Sequence, residues 1–271
     1  MKKRKIKWKK IIVLVLFLIF LTLLIISLFN IIKWKIDSNK IDEQVKKIQE
    51  IVDIENSNGD EKIIEQDNIE ASNPYWDYIK MDLINVNFNE LKSINPQVKG
   101  WIQVKGTNIN YPFVQTNDNK YYLTHSFDKS YNSAGWVFLD YRNKLDGTDK
   151  NTIIYAHGRL DKTMFGSLKN ILTSGWLNNK NNFVVKLSTE YENTLWQVFS
   201  VYHIPTTSDY IRTEFNSNND FLNLTNKLMN RSAYDFQTTV SENDRILTLS
   251  TCYNDSEKVV LHAKLIKYET K

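Results

Sequence analysis

The most marked hydrophobic pattern is one uninterrupted apolar run near the start of the chain. It extends from Ile11 to Ile32 and contains no charged residue. As a helix rising ~1.5 Å per residue it would be ~33 Å long, which matches a bilayer hydrocarbon core of ~30 Å. The run exceeds the ~7–15 apolar residues of a signal peptide, and no small-x-small cleavage site follows it. The pattern predicts a retained transmembrane helix rather than a cleaved signal.

Basic residues determine the orientation predicted for this helix. Seven precede the run and two follow it: Lys2, Lys3, Arg4, Lys5, Lys7, Lys9 and Lys10, then Lys33 and Lys35. Because cytoplasmic flanks carry the excess of Lys and Arg, the N-terminus is expected in the cytoplasm and the remaining chain outside. We interpret residues 1–35 as a basic leader with a single-pass anchor in the cell membrane. This anchor would contact the lipid bilayer through residues 11–32.

The next segment, residues 36–74, has the pattern of an extracellular stalk and linker. Apolar residues recur three to five positions apart, between charges, at Ile36, Ile41, Val45, Ile48 and Val52. This spacing predicts a short amphipathic helix, which we interpret as a stalk; a coiled coil that binds a partner is the alternative. Glu55 to Pro74 is polar and poor in aromatic residues, which is typical of a linker.

The pattern then changes to that of a mainly β domain over residues 75–271. A helix is predicted over Tyr75–Ser93, and short helices over Met164–Leu172 and Asp220–Met229. Eight segments rich in β-branched and aromatic residues predict strands. They are Trp101–Val104, Ile109–Gln115, Trp136–Leu139, Thr152–His157, Phe183–Leu187, Thr194–His203, Arg245–Thr251 and Val259–Tyr268. Eight strands with few helices favour a closed barrel or a sandwich over a parallel sheet.

Charge is unevenly distributed along the chain. The formal net charge is +4, but nine of the 35 basic residues lie in the first 35 positions, and the first acidic residue is Asp37. The remainder carries 26 basic and 31 acidic residues, a net charge of −5. A mildly acidic domain argues against nucleic acid as a partner.

The only cysteine, Cys252, is the main candidate for chemistry. One cysteine excludes an intrachain disulfide and a multi-cysteine zinc or iron–sulfur site. The sequence has no HxxH or HExxH spacing, so no metal or cofactor is expected. Cys252 ends the run Ile246–Cys252, which would put its sulfur at the rim of a sheet. An inert buried cysteine is the alternative, but a free thiol outside the cell is a liability unless it is used.

A thiol with the ordinary pKa of ~8.5 needs a base or a positive charge to act as a nucleophile at neutral pH. His157 is the best candidate for the base, since it ends the predicted strand Thr152–His157 and a glycine follows it. The other histidines are interpreted as structural or surface residues: His125, His203 and His262.

A hairpin would bring a cation to the same place. If the strands on either side of the loop Tyr253–Glu257 pair antiparallel, Cys252 and Lys258 lie opposite each other with Cβ atoms ~5 Å apart. There, Lys258 can stabilise the thiolate and later the oxyanion of a tetrahedral intermediate. An ordinary solvated lysine at the start of a strand is the alternative.

Four stretches of the sequence resemble one enzyme family. The segment TLSTC, at Thr248–Cys252, is similar to the sortase active-site signature. Three more resemble class B sortases in particular: Gly100–Gln115, Ala134–Asn143, and Asn151–His157 with Thr163–Gly166. The resemblance covers about residues 75–271. It implies a closed eight-stranded sortase-type β-barrel with an N-terminal helix and short peripheral helices.

The resemblance also implies a cysteine transpeptidase. The Cys252 thiolate would attack the carbonyl after threonine in a C-terminal sorting motif similar to NPQTN, giving a thioacyl-enzyme. His157 would protonate the leaving amine and assist an incoming amine of a peptidoglycan precursor or cross-bridge. The implied partners are surface proteins with a sorting motif and a peptidoglycan amine. Asn119 and Leu123 match positions that line the substrate groove in the family, and Thr206, Tyr210 and Ile211 match the loop between strands six and seven that holds the motif. Ser250 lies two residues before Cys252, hence on the same strand face. The alternative for all six is that they are simple rim residues of the barrel.

One departure from the family concerns the active-site cation. Lys258 stands where the family has arginine, and lysine lacks the bidentate fork of a guanidinium. Arg245 lies seven residues before Cys252, on the opposite strand face and ~23 Å away at ~3.3 Å per residue. Loops that carry Arg159 and Arg212 can reach the site. The departure supports an alternative function, a catalytically idle sortase-like protein that binds wall precursors or sorting peptides. A hydrolytic cysteine protease is a third, without papain-like or caspase-like sequence context.

Overall fold

The computed structural model describes residues 8–66, 69–254 and 256–271. Its α-helices are α1 (Trp8–Ile51), α2 (Tyr75–Tyr78), α3 (Asn89–Ile94), α4 (Ser174–Leu177) and α5 (Asn218–Asn230). Short 3₁₀ helices cover Tyr121–Leu123, Gly166–Leu172 and Lys180–Asn182. Five basic residues of the predicted leader lie outside the described residues: Lys2, Lys3, Arg4, Lys5 and Lys7.

The strands in the described part of the chain are β1 (Ile54–Asn56), β2 (Lys62–Ile63), β3 (Ile84–Val86), β4 (Val98–Val104), β5 (Asn110–Val114), β6 (Phe138–Leu139), β7 (Asn151–Tyr155), β8 (Val184–Thr189), β9 (Glu192–Pro205), β10 (Ile246–Cys252) and β11 (Glu257–Thr270). The eight predicted strands correspond in order to β4 to β11, with differences at the ends. β-Branched and aromatic runs were therefore a good guide to these strands.

Eight of the described strands form a closed barrel. Their order is β10-β7-β6-β5-β4-β8-β9-β11, and the pairing of β11 with β10 closes the sheet. The pairs β7–β10 and β5–β6 are parallel, whereas the other pairs are antiparallel. The prediction of a closed eight-stranded barrel with short peripheral helices is confirmed.

Alternation along β10 divides its side chains between two cores. Leu247 and Leu249 are fully buried in the main core of the barrel. Ile246 instead packs in a second core, with apolar residues of α5, on the outer face of the sheet. Because successive side chains of a strand point to opposite faces, Ser250 and Cys252 lie on this outer face with Ile246.

The single helix predicted over Tyr75–Ser93 is wrong. The structure has two short helices, α2 and α3, with strand β3 between them. β3 pairs antiparallel with β1, and the backbone N–H of Val86 donates to Ser188 Oγ at 3.1 Å. A short isolated helix is only marginally stable even when its apolar residues have helical spacing. The hydrogen bonds of β3 to β1 and Ser188 therefore stabilise a strand here instead.

The linker predicted over residues 55–74 also needs correction, because much of it is part of the sheet structure. β1 pairs with β3, and β2 extends the sheet along β11. Tyr75 donates its hydroxyl proton to the Ile64 carbonyl at 2.8 Å, and the buried Lys267 ammonium lies 2.7 Å from a Glu61 carboxylate oxygen. Polar composition does not reveal such pairing, because edge strands bond through backbone groups that every residue has.

Helix α1 combines the predicted membrane segment and the predicted stalk helix. Its N-terminal part is long and apolar enough to cross a membrane, and no residue of its most apolar stretch is buried. Further along, Ile41 and Ile48 are buried in the main core. The amphipathic spacing is therefore confirmed as helical, but its apolar stripe packs on the barrel rather than forming a free stalk.

Candidate active site

Three neighbouring strands bring the predicted chemical residues to one face of the sheet. β7 and β10 are parallel with Tyr155 opposite Ser250, and β10 and β11 are antiparallel with Cys252 opposite Lys258. Continued two residues past the end of β7, that parallel register would align His157 with Cys252. Neighbouring strands lie about 4.8 Å apart and aligned residues share a face. Cys252 and Lys258 therefore lie opposite each other on adjacent strands and share a face, whereas His157 lies two residues beyond the end of β7.

Two contacts hold the backbone after β7 against the end of β10. Thr251 Oγ1 donates to the Ala156 carbonyl at 2.8 Å. Gly158 is so close to β10 that a Cβ atom there would lie 1.9 Å from the Cys252 carbonyl oxygen. Only glycine allows this approach, because real Cβ contacts are never that short. The glycine after the histidine thus permits the imidazole and the thiol to come from adjacent backbones.

Lys258 is in direct contact with the thiol. Its Nζ donates to Cys252 Sγ at 3.0 Å, and both side chains are half-buried. The predicted antiparallel register of the two residues is confirmed. An ammonium group next to sulfur favours the negatively charged thiolate.

The His157 imidazole is oriented by a backbone carbonyl. Its Nε2 lies 2.7 Å from the Leu123 oxygen. Because a carbonyl only accepts, Nε2 carries the proton, which leaves Nδ1 as the nitrogen that gains or loses one. Within the described residues no hydrogen bond joins the imidazole to the thiol. The ring is half-buried.

Each of the described arginines is paired with a carboxylate, and none of them hydrogen-bonds to Cys252 Sγ. The pairs are Arg142–Asp140, Arg159–Asp161, Arg212–Asp220, Arg231–Asp209 and Arg245–Glu192. The predicted alternatives Arg159 and Arg212 are thus committed elsewhere, and Arg245 lies at the far end of β10, as its spacing predicts. Among the described residues, Lys258 is the cation that the structure brings to Cys252.

Three predicted groove residues lie near the thiol. The Tyr210 hydroxyl is 2.8 Å from Ser250 Oγ. Burial raises the pKa of Tyr210, and the charge of Cys252 raises it further. The hydrogen bond with Ser250 lowers this pKa but does not offset the other two effects. The backbone N–H of Thr206 donates to the Ser256 carbonyl at 2.8 Å, within the loop between β10 and β11. Tyr210, Ser250 and Thr206 therefore surround the end of β10.

The other three predicted groove residues are tied to neighbouring loops. Asn119 donates to Asp140 Oδ2 at 2.9 Å and accepts from the Tyr141 N–H at 3.0 Å. The Ile211 carbonyl accepts from Arg142 at 3.0 Å, and Leu123 contributes the carbonyl that holds His157. The amide of Asn119 is thus occupied within the protein, whereas the side chains of Leu123 and Ile211 are half-buried.

Asp140 is a buried centre of this region that sequence reasoning missed. Its carboxylate accepts from Arg142 Nε and Nη2, each at 2.8 Å, and from the hydroxyl of Tyr155 and the amide of Asn119, each at 2.9 Å. Burial acts to raise the pKa of Asp140, but these hydrogen bonds outweigh it and lower the pKa. Tyr155 lies two residues before His157, and in the predicted strand Thr152–His157 that spacing puts both on one face, which was an available signal.

The remaining histidines have structural or surface environments. His262 is fully buried between Thr248 Oγ1 at 2.9 Å and the Tyr202 hydroxyl at 2.8 Å. Burial, assisted by the positive charge of Arg231, lowers the pKa of His262 to about 3. The other two lie on the surface or at the rim: His203 is exposed, and His125 stacks on a tyrosine ring.

Comparison with known proteins gives consistent relatives for the chain. A family model described as a sortase domain matches residues 102–266. Sortase B of Listeria monocytogenes is 37% identical over 182 residues, which cover 65% of this chain and 73% of that protein.

Solved structures agree with this match. The Staphylococcus aureus sortase B–substrate complex is 34% identical with a TM-score of 0.62, covering 66% of this chain and 84% of that one. A crystal structure of sortase B complexed with triglycine is 34% identical with a TM-score of 0.63, covering 66% and 85%. The chain therefore belongs to the sortase family, a family of transpeptidases, and its relatives assign it to class B.

Proposed function

We propose that this protein is an active class B transpeptidase in which Cys252 is the nucleophile, His157 the acid and base, and Lys258 the activating cation. The observation that carries the proposal is the 3.0 Å contact between Lys258 Nζ and Cys252 Sγ. A thiolate needs such a positive neighbour to be populated at neutral pH. The contact also supports an active enzyme despite lysine in place of the family's arginine, because the ammonium group of Lys258 reaches the sulfur.

The first half of the reaction would form a thioester. The Cys252 thiolate attacks the carbonyl carbon of threonine in an NPQTN-like motif, and the carbonyl oxygen becomes an oxyanion. Lys258 stabilises that negative charge by a hydrogen bond that a charged donor makes stronger. As the carbon–nitrogen bond breaks, protonated His157 gives its Nδ1 proton to the leaving amine, so the enzyme retains a thioacyl group.

The second half would transfer the acyl group to an amine. Neutral His157 accepts a proton from the incoming amine at Nδ1 while the amine nitrogen attacks the thioester. The carbon–sulfur bond breaks, and the Cys252 thiolate is regenerated beside Lys258. The Leu123 carbonyl holds Nε2–H throughout, which keeps the ring in one tautomer.

The substrates would be surface proteins and a peptidoglycan amine. One solved sortase B structure holds a substrate and another holds triglycine, which supports a peptide donor and an amine-terminated acceptor here. The α1 segment supports a single-pass anchor in the cell membrane, with the N-terminus cytoplasmic and the barrel outside. The enzyme would then fix surface proteins to the cell wall.

The test uses the full chain in detergent, because α1 and residues 54–66 pack on the barrel. Incubation with an NPQTN-like peptide should add the mass of the peptide up to threonine to Cys252. Triglycine should then release a peptide with a new amide bond. A peptide of the same composition in scrambled order and the Cys252→Ala variant are matched controls.

Each other outcome identifies a different function. Peptide binding without an adduct in the unmodified chain would indicate an idle binding protein. An adduct that water resolves and triglycine does not would indicate a hydrolytic protease.

Loss of the adduct in His157→Ala, with Cys252 still alkylated by a small reagent, would support the histidine role.

A further inference from the structure

Helix α1 and two loops of the barrel form one surface next to the apolar segment. We propose that this surface, made of Trp34, Tyr131 and Leu160 with the neighbouring lysines Lys33, Lys35 and Lys162, rests on the phospholipid bilayer. We name it the juxtamembrane surface. The inference rests on the membrane anchoring proposed above and adds a second, non-spanning contact of the folded domain with the lipid.

The first argument is exposure of apolar groups. Leu160 is 86% exposed, Tyr131 61% and Trp34 40%. A single exposed apolar residue on a soluble protein needs no explanation. These three, however, lie where α1 leaves its apolar segment, and the chain neighbours of Leu160 and Trp34 contact the Trp34 and Tyr131 rings, so they form one patch rather than isolated cases.

Contacts with α1 fix the height of both loops. The Arg159 guanidinium lies 5.7 Å from the Trp34 ring, and the Lys33 ammonium lies 5.7 Å from the Tyr131 ring. Ser38 Oγ donates to Asp161 Oδ2 at 2.7 Å. Because residues 159 and 161 both contact α1 between Trp34 and Ser38, Leu160 lies at that level of the helix.

A second loop is fixed in the same way. Asn132 donates to the Asp37 carbonyl at 3.1 Å, and Ser133 Oγ donates to Asp37 Oδ2 at 2.6 Å. Asp37 is buried by these contacts although it directly follows the exposed Ile36. The loop that carries Tyr131 is therefore attached to α1 only five residues after the apolar run ends at Ile32.

The heights match those of lipid headgroups. From Ile32, Trp34 is about 3 Å and Ser38 about 9 Å further along a helix axis. The headgroup region extends roughly 5–8 Å beyond the hydrocarbon core on each side. Trp34 thus lies within the layer in which Trp and Tyr rings are favoured in membrane proteins, and the loop contacts at Asp37 and Ser38 lie at its outer edge.

The charges on the surface fit lipid phosphates. Lys33, Lys35 and Lys162 are exposed, whereas Asp161 is neutralised by Arg159 through a 2.7 Å ion pair. Asp37 is occupied by Ser133. Basic side chains with interleaved apolar and aromatic groups are typical of surfaces that lie on a bilayer.

The experiment measures lipid contact residue by residue in the full chain. The protein is placed in nanodiscs of phosphatidylglycerol and phosphatidylcholine in the Cys252→Ala background, which has no other thiol. An environment-sensitive fluorophore is attached in Leu160→Cys, Tyr131→Cys or Tyr191→Cys. Tyr191 is the matched control, because it is 59% exposed but lies in the β8–β9 turn near Arg245 and Glu192, at the far end of the barrel.

Lipids with a nitroxide near the headgroup should quench the fluorophore at 160 and 131 and leave it bright at 191. Equal brightness at all three positions, in protein that stays in the disc, would overturn the juxtamembrane contact and leave the anchor intact. Quenching at 191 as well would also overturn it. Protein that does not stay in the disc would refute the anchor itself. All three residues are exposed, so the substitutions leave the core unchanged.

Discussion

Replacing Lys258 by methionine tests the electrostatic basis of the proposed mechanism. The substitution removes the ammonium 3.0 Å from Cys252 Sγ and keeps a side chain of similar length. A hydrogen bond to a charged group contributes ~1.5–3 kcal/mol, and partial exposure of Lys258 puts the effect in the lower part of that range. At ~1.4 kcal/mol per factor of ten, a loss of ~1.5–2 kcal/mol slows acylation about 10- to 30-fold.

The assay is single-turnover thioacyl formation, followed by intact mass after mixing excess enzyme with an NPQTN-like peptide. Lys258→Arg should keep most of the rate, because it restores the charge with the residue common in the family. Lys80→Met is the control, since Lys80 is exposed and pairs with Asp77 at 3.4 Å on another part of the surface. Thermal denaturation of each variant verifies that the fold is intact.

An acylation rate in Lys258→Met equal to that of the unmodified enzyme would refute this reasoning. The 3.0 Å contact would then be a structural one, and the oxyanion would need a donor from the backbone. A rate that falls in both Lys258→Met and Lys258→Arg by the same factor would assign the effect to shape rather than charge.

Further predictions concern packing and pH. Gly158→Ala should lower the free energy of unfolding by about 1–3 kcal/mol, and the thermal midpoint with it, because the added methyl group overlaps a backbone carbonyl. Gly175→Ala is the control and should leave both unchanged, because the space around Gly175 is open. His262 has its pKa lowered to about 3 in the fold, below its unfolded value of 6.5. The stabilisation from neutral His262 is therefore complete above pH 6.5. As the pH falls from 6.5 towards 3, the free energy of unfolding should decrease by about 1.4 kcal/mol per pH unit. Denaturant titrations at several pH values should find a smaller decrease in His262→Gln. Tyr210→Phe should cost about 0.5–1.5 kcal/mol by removing the bond to Ser250, measured by urea unfolding.

Much of the barrel could be predicted from local sequence. β-Branched and aromatic runs gave the eight strands, and the spacing across one short loop gave the register of Cys252 with Lys258. Both depend on residues close together in the chain. The segments 54–66 and 84–86 were misjudged, because their strands are stabilised by backbone pairing with distant partners that leaves no mark on composition.

The site could be predicted only in part for the same reason. Cys252 and His157 were proposed as site residues from residue type and from predicted positions at strand ends; Cys252 does end β10, whereas His157 lies two residues past β7. The Leu123 carbonyl that orients the imidazole is 34 residues away in sequence, and a carbonyl has no residue signature. Asp140 went unrecognised because its role depends on three partners brought together by the folded barrel.

The unbroken course of α1 has a mechanical consequence. Helix α1 runs without interruption from the apolar segment into the part that packs on the barrel. A change in its length therefore both rotates and displaces the barrel relative to the apolar segment. One residue inserted between Lys33 and Ile36 would turn everything after it by about 100° and raise it by about 1.5 Å. The number of residues in that short interval thus sets the direction in which Cys252 faces relative to the apolar segment. Four inserted residues, which nearly complete a turn, should be tolerated better than two.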